Sequence, residues 1–466
     1  MEMAYQASQS ESAKYPSAGV AWYALICLLL LYFMYFVDRN ILTLLVAPVR
    51  KDLDINDSQI GLLNGYSFSL LNGLFAIPFG WYADRRTRKN VLIFGITLWG
   101  CSTVASGFTT TFTELMLTRM GLGLGEAALA PVAFSLISDY FPKDKRGRAV
   151  GIYGIGGFGG IGLSYLIGGA VLAMFRGVNT VDLPVVGTTS LWHAAFIAVG
   201  FITLLLALLT STIREPPRLE STQKVTTGTT EVGFWAHIRT HWQAFWLVIG
   251  AYTCLGILAI GWFAWLPSYF IRVFHMPPVQ AGIQVGWTTT IAGVTGAVVG
   301  GFIADRLMKR GAHGGKVLNL TIMFSCWIVC AIGIWMSDSI AMSLVWTFIF
   351  TFADGIGFMQ YGNIMQEMFP VHLRARSVAA WGVCSSMFSY GVGPLLFGLS
   401  TDFVFHGDDG LRYALGLVSL PIIVIGLACA WFARRPYDRA RLAVGSATNI
   451  DTAWLEPAGM AVPAKT

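Results

Sequence analysis

Charge is what this chain has least of. Asp, Glu, Lys and Arg together make up 12% of its 466 residues, while 55% are hydrophobic. A soluble globular domain carries about 25% charged residues, so a water-soluble fold is excluded, and a mean hydropathy of +0.62 agrees. Apolar residues run in long blocks rather than short alternating segments, which argues for a helical membrane protein over a β-barrel. No Gly-x-x-x-x-Gly-Lys loop occurs, so direct drive by ATP is not expected. Neither a Ser-His-Asp spacing nor a Cys/His grouping with zinc spacing is present, which argues against a membrane enzyme and implies no metal and no cofactor. The seven cysteines (Cys27, Cys101, Cys254, Cys326, Cys330, Cys384, Cys429) all fall in apolar blocks and read as packing residues. A cleavable signal is not expected either, because the first apolar run is too long and lacks a small-residue cleavage site. The net charge of +6 does not point to nucleic acid, since the basic residues lie at the ends of apolar blocks.

Twelve such blocks can be counted, at 20–49, 58–83, 91–109, 113–140, 147–175, 191–213, 244–272, 279–304, 316–336, 340–369, 375–404 and 411–433. Each is long enough for the roughly 20 residues a bilayer crossing needs. The expected organisation is a disordered cytoplasmic head (1–19), a six-helix half (20–213), a linker (214–243), a second six-helix half (244–435) and a cytoplasmic tail (436–466). The linker holds Pro216-Pro217 and ends in a short amphipathic piece from Phe234 to Trp242. Of the 31 Lys and Arg residues, Arg50, Lys51, Arg176, Arg272 and Arg412 fall on one side, Arg39 and Arg119 lie inside blocks, and the remaining 24 fall on the side of the termini. The excess of basic residues on cytoplasmic loops makes both termini cytoplasmic, as in a multi-pass protein of the plasma (bacterial inner) membrane.

The two halves repeat. Gly80-Trp81-Tyr82-Ala83-Asp84-Arg85 returns as Gly301-Phe302-Ile303-Ala304-Asp305-Arg306, and Phe141-Pro142 before Arg146-Gly147-Arg148 returns as Phe369-Pro370 before Arg374-Ala375-Arg376. Both copies fall after the second and fourth helix of their half. An even number of helices separates them, so the halves share one orientation, the parallel repeat of a two-lobed transporter with a site near the midplane.

These residues carry a resemblance to the major facilitator superfamily. The loop Gly80-x-x-x-Asp84-Arg85-x-x-Arg88-Lys89 resembles its signature between the second and third helices, with Thr87 where the second glycine is usual. The run Arg119-x-x-Leu122-Gly123-x-Gly125 resembles its fourth-helix motif, and the likeness covers roughly residues 20–435. It implies an all-α integral membrane fold of twelve helices in two parallel six-helix repeats around a central cavity. Within the superfamily, Tyr35-Phe36-Val37-Asp38-Arg39-Asn40 with Arg119-x-x-x-Gly123-x-Gly125-Glu126-Ala127 is similar to the spinster branch. That likeness implies a proton-coupled carrier of amphipathic anions such as lysophospholipids or sphingoid phosphates, sufficient as a monomer. Asp-Arg in the first helix also occurs in symporters of small organic anions such as sugar acids and carboxylates, which is the alternative function.

Ionised residues inside apolar helices cost on the order of 2.5–3.5 kcal/mol on insertion scales and need a partner or a wet cavity. Arg119 and Glu126 are seven residues apart and share one face of the fourth helix. The resemblance places the first and fourth helices side by side, so Asp38 is expected to reach Arg119. Asp38 is then the coupling acid, Arg119 its switchable partner and the binder of an anionic head group, and Glu126 a second proton or substrate site. A fixed structural ion pair between Asp38 and Arg119 is the alternative. Asp354, 228 positions after Glu126, reads either as its counterpart at the cavity or as a helix-packing group. Arg39 points about 100° away from Asp38 and reads as structural.

By the family analogy, Asp84, Arg85, Arg88, Asp139, Asp305 and Arg306 would gate the cytoplasmic side, Asp84 capping a helix of the other half and Asp139 pairing with Arg88. Trp262, Trp265, Trp287 and Trp381 lie inside helices, and Trp262 and Trp381 are the candidates for the cavity wall. Gly154-x-Gly156-x-x-Gly159 matches a dinucleotide fingerprint but lies in an apolar helix without a preceding strand, so close helix packing is the expected role. Gly391-x-Gly393-Pro394 in the eleventh helix suggests a bend or a close helix crossing. His237 and His241 are four apart without a carboxylate motif, and no metal site is expected there.

Overall fold

The computed structural model describes residues 15–174, 180–183, 187–218, 233–310, 314–358, 360–370 and 373–447. Among them run twelve long helices: α1 (Ala18–Leu44), α2 (Asp57–Arg85), α3 (Arg88–Ser106), α4 (Phe112–Tyr140), α5 (Asp144–Ala173), α6 (Leu191–Ser211), α7 (Trp242–Val273), α8 (Pro278–Lys309), α9 (Val317–Trp335), α10 (Ile340–Met368), α11 (Ala380–Phe403) and α12 (Gly410–Val444). All but α3 are apolar enough to qualify as membrane crossings by composition. The shortfall of α3 comes from its polar start, Arg88-Lys89-Asn90. After a break at Leu45, α1 is followed by a short helix, Val46–Leu53, capped by Asp54 in the left-handed region at φ 50°.

The helices assemble as two six-helix repeats. In the first, α3 packs on α4 and α6, α2 on α4, and α1 on α5; in the second, α7 and α9 pack on α12, and α8 and α9 on α10. The repeats meet along two seams, α5 against α8 and α2 against α11. Their kinship extends to single contacts. Arg88 Nη1 lies 2.5 Å from Asp139 Oδ2, and Lys316 Nζ lies 2.5 Å from Glu367 Oε1. Both members of the second pair fall 228 positions after those of the first, as Trp327 does after Trp99, and both indoles are fully buried.

Three features depart from the sequence reading. A small antiparallel hairpin, Thr180–Leu183 with Gly187–Ser190, joins α5 to α6; its β-branched residues suit a strand, and Gly187 supplies φ +77° at the turn. The last helix continues to Val444 rather than ending at 433. It exposes Arg435 and Arg439, while Arg434 and Arg441 are half-buried and Tyr437 is buried with its hydroxyl donating to Glu367. In α11, the bend expected at Gly391 is a π-helical segment, Ser385–Tyr390, ending at that glycine. The short linker helix runs Phe234–Thr240, with His237 Nε2 2.9 Å from the Met368 carbonyl. The expected disordered head and tail lie, but for their inner residues, outside the described residues, as does linker segment 219–232.

Glycines set the closeness of several helix pairs. A Cβ on Gly123 of α4 would lie 2.2 Å from the Phe68 carbonyl oxygen of α2, and one on Gly296 of α8 would lie 2.1 Å from the Phe352 carbonyl of α10. Gly156 of the fingerprint-like run sits against Tyr32 of α1 in the same way, whereas Gly154 has open space. Replacing a helical glycine by alanine gains about 1 kcal/mol in propensity, but overpacking costs about 1–3 kcal/mol. Gly123→Ala and Gly296→Ala should therefore lower the thermal midpoint of the purified protein, read by tryptophan fluorescence. Gly154→Ala should hold or raise it.

Candidate functional site

Asp38 is completely buried in α1, and its carboxylate is saturated by neighbours. Trp99 Nε1 donates at 2.5 Å and Thr103 Oγ1 at 2.8 Å, both from α3, and Thr203 Oγ1 of α6 donates at 3.3 Å. The expected carboxylate–guanidinium contact is corrected: Arg119 Nη1 donates instead to the Asp38 main-chain carbonyl at 3.1 Å. The guanidinium also lies 5.0 Å from the Phe196 ring, while Arg119 Nε and Nη2 are buried without hydrogen-bond partners. With three donors occupying the carboxylate, the main-chain oxygen is the acceptor left to it. Arg119 still feels the charges of Asp38, Glu126 and Arg39 through space.

The central cavity has a volume of about 1480 Å³ and a largely aromatic and aliphatic wall. Tyr32, Tyr35 and Phe36 come from α1, Tyr153 from α5, Tyr252 and Phe263 from α7, and Trp381 and Tyr390 from α11. Two acids stand in that wall, Glu126 of α4 and Asp354 of α10. Each is about 2% exposed; both Glu126 oxygens and Asp354 Oδ1 are buried without a hydrogen-bond partner. Glu126 ends the first segment of α4, at the Ala127-Ala128 turn that interrupts the helix. Neither Asp38 nor Arg119 lines this space, so Arg119 is not placed to hold a head group there. Trp262 is also corrected: it is fully buried behind the wall, stacked 3.9 Å from Phe350, with Nε1 donating to Ser419. Trp265 donates to the Pro394 carbonyl and Trp287 is an outward, exposed residue.

Arg39 closes one end of the cavity. Its guanidinium sits between Phe68 of α2, at 4.5 Å, and Tyr390 of α11, at 3.9 Å, and Nη1 donates to Tyr35 at 3.3 Å. Beyond it, away from the termini, polar contacts join the repeats. Arg272 of α7 binds both oxygens of Asp57 at 2.6 and 2.8 Å, Arg50 adds a contact at 3.0 Å, and Thr401 donates at 3.1 Å. Asp402 of α11 accepts from the Asp57 and Ser58 amides and from Ser58 Oγ, capping the first turn of α2, where the helix dipole favours an anion. This cluster escaped the sequence reading, in which Arg50 and Arg272 showed only as charges on the side away from the termini. Its contacts between the repeats join residues more than 200 positions apart, so no local spacing marks them.

The face that carries the termini is built differently. Arg88 is buried and binds Asp139, Glu215 Oε1 at 2.9 Å and the Pro216 carbonyl, all within the first half of the chain. Glu215 is a partner the sequence reading missed. Asp84 is exposed and does not cap a helix of the second repeat; the carbonyls of Ala83, Asp84 and Arg86 receive Arg218 instead. Arg85 stacks on Trp81 at 3.8 Å, and Asp305 and Arg306 are exposed. With the repeats joined beyond Arg39, the cavity extends on this side, where Ala76, Pro131 and Trp381 line it.

Comparison with known proteins agrees with this architecture. The family described as Major Facilitator Superfamily matches residues 28–394. An MFS-type efflux pump of Mycolicibacterium smegmatis is 25% identical over 90% of this chain and 94% of its own length. Protein spinster homolog 1 of Xenopus tropicalis is 24% identical over 87% of this chain and 80% of its own. A crystal structure of a bacterial homolog of the human lysosomal transporter Spinster, inward-facing and unoccupied, superposes with a TM-score of 0.78, covering 91% of this chain and 99% of that one at 24% identity.

Removing the Asp57 carboxylate takes one partner from Arg272, Arg50 and Thr401 together. Asp57→Ala should loosen the closure beyond Arg39, charged hydrogen bonds contributing about 1.5–3 kcal/mol each. Spin labels at the exposed Lys51 and Asp408, with Cys101 replaced, should then show a new population of longer distances by double electron–electron resonance. An unchanged distance distribution would remove the cluster from any role in closure.

Proposed function

Because the chain belongs to the Major Facilitator Superfamily and is a multi-pass membrane transporter rather than an enzyme, we propose that it is a proton-coupled secondary carrier of an amphipathic organic solute, working by alternating access. One observation carries this reading: Glu126 and Asp354, from different repeats, stand in the wall of a single apolar cavity without hydrogen-bond partners. An ionised carboxylate so placed costs several kcal/mol unless a proton or a ligand charge compensates it. Proton occupancy and solute occupancy of the cavity are thereby linked.

In this proposal the proton sites are Glu126 and Asp354. Asp38 is assigned a holding role, since its three donors already satisfy it and it lies outside the cavity. The excess of Lys and Arg on the termini side makes that side cytoplasmic, so the cavity is open inward. The aromatic wall fits an amphipathic body and disfavours a small hydrophilic anion, which needs cationic or polar partners at its binding surface. An anionic head group would need Arg119 in the wall, and Arg119 lies behind it.

The test is solute-driven proton flux in proteoliposomes with an imposed pH gradient and an internal pH dye. Amphipathic solutes should move protons and a sugar acid should not. Glu126→Gln and Asp354→Asn should each reduce the flux at least tenfold. Asp38→Asn, which puts an amide nitrogen among three donors, should lower the thermal midpoint more than the coupling. Full proton-driven flux in Glu126→Gln would overturn the proposal.

A further inference from the structure

The ionisable groups in and around the cavity do not balance. Asp38, Arg39, Arg119 and Glu126 interact through space as a set of two acids and two bases. Among the described residues, the other buried charged side chains of the bundle, Asp57, Arg88 and Asp139, are held in ion pairs. Asp354 is the exception. Among the described residues it makes no ion pair, and its Oδ1 is buried without a hydrogen-bond partner. The cavity therefore carries one uncompensated carboxylate.

Its surroundings suit a particular kind of counter-ion. Tyr252 and Trp381 line the same cavity as Asp354 and meet edge to face with centroids 5.6 Å apart. The Tyr252 hydroxyl donates at 3.3 Å to the Gly357 carbonyl, one turn beyond Asp354, which ties this aromatic pair to the Asp354 stretch of α10. Aromatic faces beside a carboxylate bind organic cations in preference to anions. The two arginines that would favour an anion are otherwise engaged: Arg119 lies behind the wall, and Arg39 is sandwiched between two rings at the closed end.

We propose that Asp354, with Tyr252 and Trp381, binds the charged group of a lipophilic organic monocation, whose apolar body occupies the rest of the cavity. The proposal rests on the carrier reading above and names the substrate class of its cavity. A proton on Asp354 and the cation then exclude one another. The titratable groups that share the cavity with Asp354 are Glu126 and the tyrosines Tyr32, Tyr35, Tyr153, Tyr252 and Tyr390, and Arg39 lines an adjoining space beside Phe36 and Tyr390.

The experiment is equilibrium binding to full-length protein in nanodiscs, with empty nanodiscs as the blank and no gradient imposed. The probes are tetraphenylphosphonium and its anionic shape-match, tetraphenylborate. Tetraphenylphosphonium should bind at least tenfold tighter at pH 8, and the preference should shrink as pH falls to 5. Asp354→Asn should weaken the cation at least tenfold, whereas Asp354→Glu should retain much of it. Asp408→Asn, which removes an exposed acid outside the cavity, should change it less than threefold. Equal binding of both probes, or unchanged cation binding in Asp354→Asn, overturns the proposal. Should Asp354→Asn fail to give a monodisperse protein, the probe preference of the wild type and its pH dependence decide alone. Because no flux is measured, selective binding without proton-driven transport would count against the carrier reading only. Proton-driven transport without cation selectivity would count against this inference only.

Discussion

A charge enclosed by apolar helices must be matched by something, and the interior of this protein is arranged around that requirement. Asp38 is matched by an indole and two hydroxyls, Arg119 by a main-chain carbonyl and an aromatic face, and Arg39 by a tyrosine hydroxyl between two rings. None of these needs a direct ion pair. What they share is that each links different helices: α1 to α3 and α6, α1 to α4, and α1 to α2 and α11. The partners of buried charges are thus also the ties that position the first helix against the cavity. Among the described residues, only the two acids in the cavity wall are left without such a partner, and there the matching group must come from outside the chain.

The repeat shows which features are scaffold and which are specialised. At an offset of 228, the buried pair Arg88–Asp139 has its counterpart in Lys316–Glu367, and Trp99 in Trp327. These pin corresponding helices in each half. The position matching Arg119, however, is Thr347, buried and bonded to the Ser343 carbonyl. Glu126 is matched by Asp354, yet the charges that surround Glu126 have no equivalent around Asp354. A symmetric scaffold with asymmetric charge gives one wall a balanced set and the other a lone acid. That asymmetry lets the two acids serve different roles within one cavity.

Much of this was legible from the chain alone, for a physical reason. Twelve spans, the parallel repeat, and the prominence of Glu126 and Asp354 follow from hydropathy, from recurrence, and from the rarity of charge in apolar helices, all of which are local or periodic signals. Which atoms meet is not such a signal. The family resemblance put Asp38 and Arg119 within reach, but not that Trp99, Thr103 and Thr203 would fill the carboxylate first. Trp262 and Trp381 both lie inside apolar helices, and only the packing of Phe350 against one of them decides which faces the cavity. The Asp57–Arg272–Asp402 cluster depends on three loop ends that meet only once the repeats are assembled.

Burial also decides which ion pairs can take part in a reversible motion. Arg88 and Asp139 have side chains only 3% and 5% exposed, and breaking one partner out of such a buried pair costs about 3–5 kcal/mol. Both lie in the first repeat, so a rocking of one repeat against the other leaves them undisturbed; they hold α3 to α4 as a rivet. The cluster beyond Arg39 is different in both respects. It crosses between repeats, and its arginines are 39% and 15% exposed, so water screens these contacts more than it screens Arg88–Asp139. Contacts so screened can hold a closure and still be released by the binding energy of a solute or a proton. The gate of the structure is thus to be sought at Asp57 and Asp402, on the face away from the termini, rather than at the family-like loop between α2 and α3.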